Sequence, residues 1–167
     1  MRPSCMPIAP RTATLLVLFG LMAGMIACKK DDDGSERGCG ETNISFHSST
    51  DSHNNGQNCM NCHRDGGGGK GCFTVAGSVY QQNGTTPAPS GTVKLYTGEN
   101  GSGDLRATID VDANGNFHTT AVVDLTGGLY PRITPAGGGP DAHMHDPIST
   151  GACSSCHGNT EERIKLP

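Results

Sequence analysis

One five-residue pattern occurs twice: Cys59-Met60-Asn61-Cys62-His63 and Cys153-Ser154-Ser155-Cys156-His157. Two cysteines three apart, with His directly after the second, read as a covalent attachment site for a c-type haem. On one helical turn, residues three and four apart share a face. Both thiols can then form thioethers to the haem vinyl groups while His63 or His157 reaches the iron as proximal ligand. All three groups must meet one rigid macrocycle, so the spacing is specific. Two covalent haem c groups are expected, held by Cys59, Cys62 and His63 and by Cys153, Cys156 and His157. A zinc site built from two Cys-x-x-Cys knuckles competes with this reading. Such knuckles usually stand about 15–20 residues apart, whereas some ninety residues intervene here. Neither zinc nor a redox-active dithiol pair gives a reason for a His after each pair.

The N-terminus points to export. Arg2 and Arg11 precede an apolar run from Thr14 to Ala27, which Lys29-Lys30-Asp31-Asp32-Asp33 ends abruptly. The run is too short for a comfortable transmembrane helix and fits the hydrophobic part of a signal peptide over residues 1–27, with an uncleaved anchor as the alternative. Its end, Met25-Ile26-Ala27-Cys28, resembles the lipobox of bacterial lipoproteins, with Met25 where Leu is usual. The resemblance implies that Cys28 is lipidated, becomes the first mature residue and ties the chain to the outer membrane, facing the periplasm or the cell surface.

In that oxidising setting the eight cysteines can be assigned. Cys5 leaves with the signal, Cys28 takes lipid and four attach haem, so Cys39 and Cys72 remain and are expected to form a disulfide. The bridge would close a loop around the first motif, a stabilisation of about 3 kcal/mol in the entropic treatment. The mature length of 140 residues, 25 Gly, no Trp and 34% hydrophobic residues allow one modest core. Without Arg2 and Arg11 the charge is 10 basic against 16 acidic residues, net −6, which argues against nucleic acid as a partner.

Four regions follow along the mature chain. Residues 28–38 read as a flexible charged tether, whose Lys-Lys-Asp-Asp-Asp start resembles surface-export signals of some lipoproteins. Residues 39–72 form the first haem segment, with a short helix over Asn58–Arg64 and a glycine-rich close. Residues 135–167 form the second, with a short helix over Ala152–Gly158. Between them, over 73–134, apolar residues alternate at Phe73-Val75-Gly77-Val79, Val93-Leu95, Leu105-Ala107-Ile109-Val111 and Phe117-Thr119-Ala121-Val123. Asn114-Gly115 predicts a type I′ hairpin turn. Pro131 restricts a fifth stretch, Leu129–Ile133, to an edge or irregular structure. The fold expected is mainly β: a small β-sandwich flanked by two loop-rich haem-binding segments with short helices.

Val75-Ala76-Gly77-Ser78-Val79, Gly91-Thr92-Val93-Lys94-Leu95 and Asp112-Ala113-Asn114-Gly115-Asn116-Phe117 resemble the carboxypeptidase regulatory-like family of transthyretin-type sandwiches. The resemblance spans some sixty residues and implies a non-enzymatic scaffold. With a Cys-x-x-Cys-His motif on each side, the mature chain resembles small exported dihaem cytochromes that carry a β-sandwich between the haem sites.

The ligand on the far side of each iron decides the chemistry: a filled position confines iron to electron transfer, and an open one admits small molecules. Five His remain, namely His47, His53, His118, His143 and His145, with Met144 as a further candidate. His53 and His145 are the leading distal candidates; they lie six and eight residues before the first Cys of their motifs, enough chain to span roughly 20 Å. His47, His143 and Met144 follow. His118 opposes Phe117 on its strand and is expected at the surface, and Tyr80 is expected to be sandwich packing. No phosphate loop, strained nucleophile or EF-hand is present, and no enzymatic role is expected. The chain thus reads as an electron carrier whose partners are redox proteins or copies of itself, with a haem-based sensor having one open iron as the alternative.

Overall fold

The computed structural model describes residues 39–167. The expected signal peptide, lipidated Cys28 and tether lie outside the described residues. Among the described residues no helix is long and apolar enough to cross a membrane. Seven strands build two sheets: β1 (Val75–Tyr80), β2 (Thr92–Tyr96), β3 (Leu105–Asp110), β4 (Asn116–Thr119), β5 (Tyr130–Thr134), β6 (Ala142–His143) and β7 (Ile164–Lys165). One sheet runs β4-β1-β7 and the other β3-β2-β5-β6. The protein is mainly β, a small sandwich, as the alternation requires.

Period-two patterning sets which side chains meet between the sheets. Val75, Val79 and Phe117 of the first sheet face Val93, Leu95, Ile109 and Ile133 of the second, and Val111, Leu129 and Leu166 complete the core. Each such side chain, fully buried, contributes about 1.5–3 kcal/mol. β2 and β5 alternate buried with half-buried residues, so they cover the core with one face only. All six residues of β1 are buried, because its outer face is also covered, by residues 39–73. Both flanking segments join the sandwich: Ile44 bridges Thr119, while β6, β7 and Leu166 come from beyond residue 134.

Three local expectations change. β4 ends at Thr119 instead of reaching Val123, since Thr74 N–H takes the Thr119 carbonyl and Thr120 N–H turns to Asn43. Val122 is then 93% exposed. Pro131 sits inside the sheet, between β2 and β6. The N and C=O of one strand residue point to the same side, and the Pro131 carbonyl accepts from Met144 N–H. Its missing donor therefore faces the short β6, and the β2 ladder stays whole. The turn at Asp112–Asn116 is not type I′: Gly115 alone has positive φ, +79°, and its N–H donates to the Asp112 carbonyl. Asp112 Oδ1 accepts from the N–H groups of Asn114 and Asn116, each at 2.9 Å, which holds Asn114 right-handed. The turn joins one sheet to the other instead of closing a hairpin.

Candidate haem sites

At the first motif, Asn58 Oδ1 caps Met60 N–H and the chain makes a single 3₁₀ turn over Cys59–Asn61. The expected short helix is reduced to this turn, which His63 N–H extends by donating to the Cys59 carbonyl at 2.9 Å. The glycine run then folds back over the histidine. A Cβ on Gly69 would lie 2.7 Å from His63 Nδ1, and one on Gly67 would strike the Cys62 carbonyl. With no side chains there, the Lys70 carbonyl approaches to 2.9 Å of His63 Nδ1. A carbonyl only accepts, so Nδ1 carries the proton and the Nε2 lone pair is left for a metal.

The second motif repeats the design. A 3₁₀ turn covers Cys153–Ser155, again shorter than the helix expected, and His157 N–H donates to the Cys153 carbonyl at 3.0 Å. His157 Nδ1 lies 2.7 Å from the Glu162 carbonyl, which selects the same tautomer and leaves Nε2 for coordination.

Beside the first motif lies a cavity of about 340 Å³ lined by His53, Cys59, Cys62, His63, Phe73 and His118, among others. The His53 and His63 ring centres stand 6.2 Å apart. Two imidazoles that bind one metal atom from opposite sides have centres roughly 6 Å apart, two metal–nitrogen bonds of about 2 Å plus two ring radii. The residues present therefore fit an iron held between His63 and His53. Phe73 lies flat on His63 at 4.0 Å and stacks on His118 at 4.5 Å, fixing the plane of the His63 ring.

His118 is not at the surface as expected. It lines the cavity, its Nε2–H donates to Asn43 Oδ1 at 2.9 Å, and burial, opposed by the Asp112 carboxylate, pushes its pKa down to about 4. Asn43 also donates from Nδ2 to the Lys70 carbonyl that orients His63. Burial lowers the His63 pKa as well, while the Lys70 carbonyl opposes it. Asn43, Phe73 and His118 are the residues that sequence reasoning missed. They are scattered over 75 positions, and no local pattern joins them.

The other distal candidates lie elsewhere. His47 Nε2 is bound to the Gly91 carbonyl at 3.1 Å and to Asp110 at 3.2 Å, a clasp across β2 and β3. His143, Met144 and His145 belong to the edge of the four-stranded sheet. His143 and His145 meet edge to face at 4.9 Å, Met144 N–H is bonded to Pro131, and His145 Nδ1 is 2.7 Å from Glu99. The structure thus brings His53 beside His63 and ties His145 to Glu99.

The Cys39–Cys72 disulfide is present. Cys59 and Cys153 carry thiols, both pushed up in pKa mainly by burial, Cys153 to about 12. Among the described residues no three His, Cys, Asp or Glu side chains converge as a bare metal ion requires. Comparisons with known protein families, characterised proteins and solved structures find no match to this chain.

Proposed function

We propose that the chain is an exported dihaem c-type cytochrome, anchored by lipid on Cys28 at the outer membrane, that passes electrons to redox proteins or to other copies of itself. The observation that carries this reading is the repetition at two distant motifs of one arrangement. Each Cys-x-x-Cys-His sits on a single turn, and each His has Nδ1 donating to a backbone carbonyl, Lys70 or Glu162, so that Nε2 is offered. When bound, haem c supplies one-electron oxidation and reduction at iron.

The protein's own residues do the rest. His63 and His157 serve as proximal ligands, held in one tautomer and one orientation. Phe73 fixes the His63 plane, and His53 closes the far side, which suits electron transfer over ligand activation. The four motif cysteines would hold the macrocycles through thioether bonds. The sandwich, of the carboxypeptidase regulatory-like type, is the scaffold for both motifs.

A second reading, an open iron at the second motif that senses a small ligand, draws support from His145, which is engaged by Glu99 in the connection between β2 and β3. Matured protein is expected to carry two haems per chain by mass and pyridine haemochrome, with a low-spin spectrum at the first site. A chain that leaves a haem-maturation host without covalent haem would sink the proposal. Carbon monoxide separates the two readings: an unchanged reduced spectrum supports a pure carrier, and a shift in half the absorbance supports an open second iron.

A further inference from the structure

We infer that the two haem sites are built as one unit on β1, with Tyr80, clamped between their loops, as the positioning residue that makes the two irons neighbours whose charge states interact. The inference rests on the haem reading above.

The two motifs are ninety residues apart in sequence, yet they rest on consecutive residues of one strand. Gly56 N–H, three residues ahead of Cys59, donates to Ser78 Oγ at 2.9 Å. Cys153 Cβ lies 3.0 Å from where a Cβ on Gly77 would stand, and Ala152 pairs with Ala76. Ser78 and Gly77 point to opposite faces of β1, so only one strand separates the two motifs, at a position with no side chain. Each haem is bonded at its edge to its own thiols, so the separation of the thiols bounds the separation of the macrocycle edges.

Tyr80 closes the arrangement. It is only 3% exposed although its side chain leaves β1 on the face away from the core. Its hydroxyl packs on Gly56, where a Cβ would come within 2.6 Å. Arg163 covers its ring, with the guanidinium carbon 4.8 Å from the centroid. Arg163 directly follows Glu162, whose carbonyl orients His157. One side chain therefore touches the approach to the first motif and the exit from the second. A cation–π contact of this exposed kind is individually weak, so its value lies in placement.

The test uses full-length matured protein. Zero or one haem in the wild type would overturn both the haem reading and this inference, whereas two haems with independent irons would overturn the inference alone. The EPR spectrum and redox titration of the dihaem protein are compared with the sum of two single-haem variants, Cys59→Ala/Cys62→Ala and Cys153→Ala/Cys156→Ala. A broadened spectrum and potentials that depend on the other iron's state are expected; a dihaem protein equal to the sum refutes the pair. Following the EPR relaxation of one wild-type haem while the other is reduced makes the same comparison without substitutions. Tyr80→Ala is expected to weaken the interaction with both haems retained, and Tyr80→Phe, which keeps the ring beside Arg163 but loses the hydroxyl at Gly56, to weaken it less. Arg163→Ala, at the surface, is expected to weaken it in the same direction and serves if Tyr80→Ala does not fold. Full interaction in Tyr80→Ala, or in Arg163→Ala where it stands in, overturns the role of Tyr80.

Discussion

His118 shows how one side chain acquires its behaviour from partners distant in sequence. Half-buried against Phe73 and bonded to Asn43, it stays neutral down to about pH 4 in the folded protein, against about 6.5 in an unfolded chain. Between these values the unfolded state binds the extra proton, so stability falls as pH drops from about 6.5 to about 4 and levels off below. The loss is at most about 3 kcal/mol. Urea unfolding at pH 7 and pH 4.5 is expected to show it in the wild type and to show much less in His118→Gln; an equal pH response in both would remove His118 as its source. The six motif residues were legible because their chemistry depends on neighbours within five positions. His53 was legible as a short tether away from His63. His118 was not, because alternation says which face of a strand a residue takes and not what covers that face.

At the level of elements, the edge of β1 is where the second motif is fastened. Ala76 N–H donates to the Gly151 carbonyl, and a Cβ on Gly151 would come within 1.9 Å of the Thr74 carbonyl oxygen. Backbone against backbone cannot yield as a flexible side chain does. Gly151→Ala is expected to cost about 2 kcal/mol or more in denaturant unfolding and to reduce haem incorporation at the second motif before the first. Wild-type stability in this variant would show that the edge contact is dispensable. Four strands were legible from alternation, whereas β6 and β7, two residues each, carry too little pattern to be read and form only because β5 and β1 present free edges. A Pro lacks a donor, so sequence alone restricts the Pro131 stretch to an edge or irregular structure; its place inside the sheet depends on which way that missing donor faces.

For the molecule as a whole, the Cys39–Cys72 bridge spans 33 positions and encloses the first motif, a segment with few apolar residues of its own. Its removal in Cys39→Ala/Cys72→Ala is expected to lower stability by about 3 kcal/mol. Denaturant unfolding with haem quantified at each motif checks this, and unchanged stability would mean that haem alone orders the segment. By itself the sequence determined the sandwich class and this disulfide. Alternation, cysteine spacing and tautomer-independent chemistry all act within short stretches or by counting. Only the tertiary structure decided that glycines at 67 and 69 let a carbonyl orient His63, that Asn43, Phe73 and His118 back the first site, and that both motifs share β1 with Tyr80 between them. Those outcomes depend on which surfaces meet when the sheets close, and burial, unlike periodicity, is a property of the packed chain.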